Sequence, residues 1–375
     1  MGYKYHVINV FDKYVIKILA VATFVTALSL TLIILLTQSI RYLELVISSD
    51  ASPFYFLVMI SLAIPKFLEA IMPLAFAIGS IYTANRLMND REMIIMSAAG
   101  ASVTTLGRPF MMFAGFMMVF QFVLSGWIAP MAVERLQITR AEVKSHYATL
   151  IFREGVFNTL SNGLTAYVEN RNGMNEIENI MIHDAKGRLN EGQSTTILAK
   201  RGIINLTENR QQLLIYDGTQ YLRNIEKGTL SRLDFNQYTL DIPTEESSIA
   251  TRWKEPDERI FTKLFISDSG GSARDIGKKK EFIAEIHRRI ATPLLYGSFI
   301  ISIIIFIFMG SWNRRNMSAP LFKSGIVITV TQALFIVAYN EARDITLISY
   351  ALYFIAGAPL IFGFWRLYDF QKEKV

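Results

Sequence analysis

The chain has 375 residues, 51% of them hydrophobic, with a mean hydropathy of +0.30 and a formal net charge of +6. That is too apolar for an ordinary soluble protein of this length, and the absence of cysteine excludes a disulfide framework and a thiolate metal site. Net charge alone leaves nucleic acid or anionic lipid as partners, but 45 of the 70 charged residues lie between Glu134 and Arg289, so the chain reads as membrane, soluble insert, membrane.

A helix needs about 20 mostly apolar residues to cross a bilayer core. Ile18–Ile40 meets this; it is too long for a signal-peptide core and lacks a small-residue cleavage pattern, so it is expected to remain as a first anchor. Phe54–Asn85 follows, interrupted by Lys66 and Glu69 and carrying Pro65 and Pro73, which predict a kink. Pro109–Val133 is the third span. Ile290–Asn313, Ser324–Asn340 and Ile345–Trp365 come after the insert, giving a three-plus-three layout. Lys and Arg in the short loops set the orientation. Lys4, Lys13, Lys17, Arg86, Arg91, Arg108, Arg314, Arg315, Lys323, Arg366, Lys372 and Lys374 fall on one side, against Arg41 and Arg343 on the other, with Lys66 inside a span. The first side is expected to be cytoplasmic, with both termini on it and the insert periplasmic.

The expected division is 1–134 for the first membrane part, 135–272 for the insert with its linkers, and 273–375 for the second membrane part. The insert predicts an all-β, sandwich or jellyroll-like fold. Gly163–Arg171 alternates apolar and polar residues and meets Asn172-Gly173, a tight-turn signal. Ile177–His183, Thr195–Asn205, Gln211–Asn224 and Leu230–Ile242 follow, with Ala185-Lys186-Gly187 and Tyr216-Asp217-Gly218 read as turns. Pro243–Asp257 is strand-poor, Ser267–Ser272 reads as a linker, and Phe282–Arg289 as a helical lead-in to the fourth span.

Three stretches carry candidate function. Arg86–Gly100 reads as a short amphipathic helix with Leu87, Met88, Ile94 and Ile95 on one face and Asp90, Arg91 and Glu92 leaving it. It is either an ordinary interfacial helix or a coupling helix seated on an ATPase subunit. Lys66 and Glu69, three apart, can simply pair; alternatively Lys66, with Arg41, meets the phosphates of an anionic lipid. The charges of Glu281–Pro293 read as an anchor at the head-group level, with His287 lacking a catalytic triad. Gly271–Lys279 imitates a phosphate loop but has five residues between its glycines and Lys279 after Lys278, so it is rejected. The four histidines are far apart. No motif predicts catalysis by this chain, a metal or a cofactor of its own.

Ile64–Ser102 (IPKFLEAIMPLAFAIGSIYTANRLMNDREMIIMSAAGAS) and Glu285–Gly297 (EIHRRIATPLLYG), set in six spans with an insert after the third, resemble the LptF/LptG family of lipopolysaccharide-export permeases. Gln38–Glu44 and Phe152–Asn170 are more similar to its LptF branch. The resemblance implies a lipopolysaccharide extraction role, a second, LptG-like permease, two copies of an LptB-type ATPase that binds the ATP, and an LptC-like periplasmic bridge. By the same resemblance Glu92 takes the coupling position, with Asp90, Arg91, Met93 and Ile94 around it; Arg91 stands where relatives often have Ser. Arg41 and Lys66 fall near lipid-contacting cations. Leu164, Ala166 and Val168 either line a groove for acyl chains in the β insert or form an ordinary closed core. Two other readings stay open: a membrane anchor or sensor whose insert binds a protein, and a permease for another lipid or a lipoprotein.

Overall fold

The computed structural model describes residues 10–48, 51–148, 154–161, 163–172, 176–185, 193–207, 210–224, 229–242, 253–266, 273–309 and 318–372. Most of the Pro243–Asp257 segment, the Ser267–Ser272 linker and the turns at Asn172-Gly173 and Lys186-Gly187 lie outside them.

The elements in order are α1 (Val10–Ser48), α2 (Phe54–Asn89), α3 (Glu92–Ala98), α4 (Val103–Val123), a π turn at Leu124–Ile128, α5 (Ala129–Ala148), six strands, α6 (Phe261–Ile266), α7 (Ala273–Gly277), α8 (Lys279–Ala291), α9 (Leu294–Ile303), a second π turn at Ile304–Phe308, α10 (Ser318–Ala342) and α11 (Ile348–Lys372). Five helical stretches are long and apolar enough to cross a bilayer: Val10–Ile47, Phe54–Asn89, Val103–Val143, Ala319–Ala342 and Ile348–Asp369. Lys279–Ala291 and Leu294–Phe308 together meet the same criteria as a pair bent by 42°, which gives up to six crossings; the bend at Thr292-Pro293 falls near the start of the expected fourth span, Ile290–Asn313, just after its expected helical lead-in. Pro293 has no N–H to continue the α8 ladder, and the Thr292 hydroxyl closes its last turn on the Arg288 carbonyl at 2.7 Å.

The chain divides into two compact units. The first comprises 1–40, 60–136 and 254–375; the second comprises 41–59 and 137–253. The helical unit packs α9 against α4, α10 and α11. Phe76, Phe110, Phe113 and Tyr296 interlock there, with Phe76–Tyr296 centroids 4.9 Å apart and Phe110–Phe308 edge-on at 5.2 Å. Helices α1 and α2 approach closely at Gly79, where a Cβ would meet the backbone N of Thr23 at 2.7 Å; only a residue without a side chain fits this crossing.

The second unit holds the expected all-β insert. Strands β1 (Phe157–Ser161), β2 (Leu164–Asn172), β3 (Glu176–Asp184), β4 (Gln193–Thr207), β5 (Arg210–Asn224) and β6 (Leu230–Ile242) form one antiparallel meander in chain order. Each strand pairs with the next, and the sheet wraps its apolar face around Leu164, Ala166, Val168, Ile177, Ile180, Ile182, Ile197, Leu213, Ile215 and Leu240.

A crease crosses this sheet. Register passes over Glu169, Asn179, Lys200, Asp217 and Asn236 in successive strands while staying constant on either side. Asn179 and Asp217 sit at φ 51° and 50° in the left-handed region. The crease flips the inward parity, so β3 buries Ile177 and then Ile180 and Ile182. Tyr216-Asp217-Gly218 therefore lies in the middle of β5 and does not end it, contrary to the turn its residues predict. Gly218 is needed there for a different reason: a Cβ would meet the Leu198 carbonyl oxygen at 2.7 Å and the Phe235 ring at 2.5 Å.

Candidate functional site

Two places in the helical unit concentrate polar chemistry. The first is the turn between α2 and α3. α2 runs to Asn89, and Arg91 then takes a left-handed backbone (φ 59°) before α3 starts at Glu92. This break rotates α3 relative to α2. Leu87 and Met88 are buried together with Met93, whereas Ile94 and Ile95 are 42% and 65% exposed. The shared face expected for Leu87, Met88, Ile94 and Ile95 does not form, because one residue in the αL region resets the helical phase. Asp90 lies 3.6 Å from Arg86 in an exposed pair, and Glu92 accepts a 2.9 Å hydrogen bond from the Tyr14 hydroxyl of α1. The turn thus presents a carboxylate tethered to α1 beside two exposed isoleucines, an arrangement suited to docking in an apolar groove with a polar rim.

The second place is a buried ionic knot where α2, α4, α8, α9 and α10 meet. Its origin is local. Pro73 has no N–H, which strands the carbonyl of Glu69 four residues earlier. The Gln121 side-chain amide of α4 donates to that carbonyl at 3.2 Å, and the Tyr296 hydroxyl of α9 donates to the Gln121 Oε1 at 2.9 Å. α2 stays helical through Pro65 and Pro73, and at Pro73 the neighbouring Gln121 satisfies the carbonyl that the proline releases. The Glu69 carboxylate, 3% exposed, then accepts from Arg288 at 2.7 Å.

Arg288 and Arg289 both reach Glu285 on the same helix, at i−3 and i−4. Glu285 also accepts from the Tyr339 hydroxyl of α10 at 2.9 Å, with the Arg288 guanidinium 5.4 Å from that ring's centroid. Arg289 is 1% exposed and turns its remaining donors to the carbonyls of Arg259 at 2.7 Å and Pro256 at 3.2 Å. It therefore clamps the segment before α6 onto α8. The Arg259 side chain continues the chain of contacts to Asp275 at 2.6 Å. His287 meets the Tyr353 hydroxyl at 3.0 Å on the α11 side.

The residues read as a head-group anchor are thus largely inside the protein, each charge answered by an opposite one. A sequence signal existed. Glu285, Arg288 and Arg289 are spaced i, i+3, i+4 next to an apolar run, and Glu69 is the one carboxylate in the apolar run of α2, so an Arg pair beside one apolar stretch and a lone carboxylate inside another are candidates for each other.

Lys66 lies 3.8 Å from Glu69, the pairing expected from their spacing, and 3.7 Å from Asp257. It is about one-third exposed, as is Asp257. Arg41 is exposed on α1, in the second unit. Leu164, Ala166 and Val168 are at most 1% exposed, within the apolar interior of the β sheet.

Helices of membrane-crossing length, interrupted in sequence by an all-β insert, define a polytopic membrane protein. The family model described as "Lipopolysaccharide export system permease LptF/LptG" matches residues 13–369. The chain belongs to this LptF/LptG permease family. An uncharacterised protein of Rickettsia prowazekii is 23% identical over 95% of this chain and 98% of its own length. The lipopolysaccharide export system permease protein LptF of Escherichia coli K12 is 21% identical over 63% of this chain and 67% of its own. LptG of Haemophilus influenzae is 26% identical over 40% and 42%.

Proposed function

We propose that this chain is an LptF-type permease subunit that draws lipopolysaccharide out of the inner membrane and hands it to a periplasmic carrier. The observation that carries the reading is the family match across 13–369, joined to a free turn at the α2–α3 break. In this reading the chain pairs with a second, LptG-like permease, and both sit on two copies of an LptB-type ATPase, which holds the ATP. Both termini and the α2–α3 turn face the cytoplasm, and the β insert faces the periplasm and an LptC-like bridge.

Each part has a physical task. Glu92, with Asp90 and Arg91 at the rim, Met93 anchoring α3 inward and Ile94 projecting, docks on the ATPase. Its motion passes to α1 through the Tyr14 hydroxyl. Arg41 and Lys66 meet lipid phosphates. Because Lys66 is flanked by Glu69 and Asp257, a phosphate would take the place of the partly exposed Asp257, leaving the buried Glu69 to Arg288. Leu164, Ala166 and Val168 belong to the apolar interior that would shelter acyl chains. Shelter is required because each CH₂ exposed to water costs about 0.8 kcal/mol.

Glu92→Ala tests the reading. The expected outcome is loss of ATPase co-purification and of lipopolysaccharide release, with the helical fold kept. Normal association and release would leave the membrane-anchor reading in its place. Photo-crosslinking from position 66 identifies the cargo, and capture of a lipoprotein would replace the lipopolysaccharide assignment.

A further inference from the structure

A groove of about 560 Å³ runs between α1 and α2, lined on α1 by Tyr14, Lys17, Ile18, Val21 and Val25 and on α2 by Ile78, Tyr82 and Arg86. The α2 residues recur every four positions, and the α1 residues fall at 14, 17–18, 21–22 and 25–26, so each helix gives one face to it. From Tyr14 to Val25 the groove follows α1 for roughly 16 Å.

Its chemistry is graded. Lys17, Arg86 and two tyrosines belong to the end near the α2–α3 turn, where Tyr14 touches Glu92. Val21, Val25 and Ile78, each 42–56% exposed, continue it as an apolar trough. Among the described residues no carboxylate lines it. Lys17 makes no ion pair among the described residues, and Arg86 has only the exposed 3.6 Å contact with Asp90. The close crossing of Gly79 and Thr23 backs α1 against α2 in the same region.

We infer that this groove binds an anionic phospholipid from the leaflet that faces the α2–α3 turn. Lys17 and Arg86 hold the head-group phosphate, the Tyr14 and Tyr82 hydroxyls border it, and one acyl chain lies along Val21, Val25 and Ile78. Basic pockets at the ends of membrane helices take anionic head groups by the same physics. The site is separate from Lys66 and the ionic knot, and it requires only that α1 and α2 cross the bilayer, whatever the cargo.

The test places p-benzoylphenylalanine at position 21 of the full chain. The protein is reconstituted into phosphatidylethanolamine vesicles with or without a minority of phosphatidylglycerol, and the adducts are read by mass spectrometry. The expected result is a phosphatidylglycerol adduct out of proportion to its abundance. It should fall about tenfold or more in K17E/R86E, persist in K17R/R86K and be unchanged in K66A. Adducts in simple proportion to lipid abundance, or equal yields in K17E/R86E, would overturn the proposal. So would an adduct to a second polypeptide, which would make the groove a protein interface. Loss of the adduct in millimolar inorganic phosphate would overturn it as well, by making the site one for a free anion. If K66A abolished lipopolysaccharide release while the position-21 adduct persisted, the two sites would be shown to act separately.

Discussion

The two units differ in the polar groups they bury. The β unit encloses a mainly aliphatic face, in which Asp184, Thr195 and Gln220 are the buried polar side chains among the described residues. The helical unit, set in an apolar solvent, encloses Glu69, Glu285 and Arg289 at 1–3% exposure. In water, apolar burial drives assembly and polar atoms gain nothing by hiding. Between helices in lipid, apolar contact discriminates little, so specific polar matches fix which helices touch. The knot joins α2, α8 and α10 through charge and α4 and α9 through the carbonyl released by Pro73. Position in the β unit follows from a period of two residues; position in the helical unit follows from pairing.

The contrast can be broken in order of expected effect. Arg289→Ala leaves Glu285 with one fewer cation and frees the Arg259 and Pro256 carbonyls, so it should cost about 3–5 kcal/mol, read as a lowered unfolding midpoint of the solubilised protein. Retention of wild-type stability would mean the knot is not buried in the membrane. Leu164→Ala removes side-chain volume from the buried apolar face of the β sheet and should cost about 2–5 kcal/mol. A cost near zero would instead indicate an interior already open to solvent or lipid. Gln121→Leu strands the Glu69 carbonyl and should cost about 1–3 kcal/mol; Pro73→Ala in the same chain restores a backbone donor for that carbonyl and should recover much of the loss. Absence of recovery would separate the proline from the glutamine.

Much of this was legible in the sequence, for stated reasons. Long apolar runs with few or no charges marked the spans because lipid tolerates few charges; alternation marked β2, and stretches bounded by turn residues marked β3 to β6. Strand β1, Phe157–Ser161, escaped because five mixed residues carry little period. The crease escaped because Asn179 and Asp217 carry turn chemistry inside strands, and Tyr216-Asp217-Gly218 looked like a chain reversal for that reason. At the α2–α3 turn the composition was read correctly but its phase was not: one left-handed residue, Arg91, moves Ile94 and Ile95 away from Leu87 and Met88. The knot was missed because the partners of Glu285 include Glu69-bound Arg288 and Tyr339, 54 residues away, a separation that periodicity does not reach.

The proposed transport function requires the α2–α3 turn and the β insert to lie on opposite sides of the membrane. The chain has no cysteine, so Ser97→Cys in α3 and Ser231→Cys in β6, both exposed positions, can each be probed singly. A membrane-impermeant maleimide applied to intact spheroplasts should label position 231 at once and position 97 only after lysis. Labelling of both, or of neither, before lysis would contradict a machine driven from one side and delivering to the other.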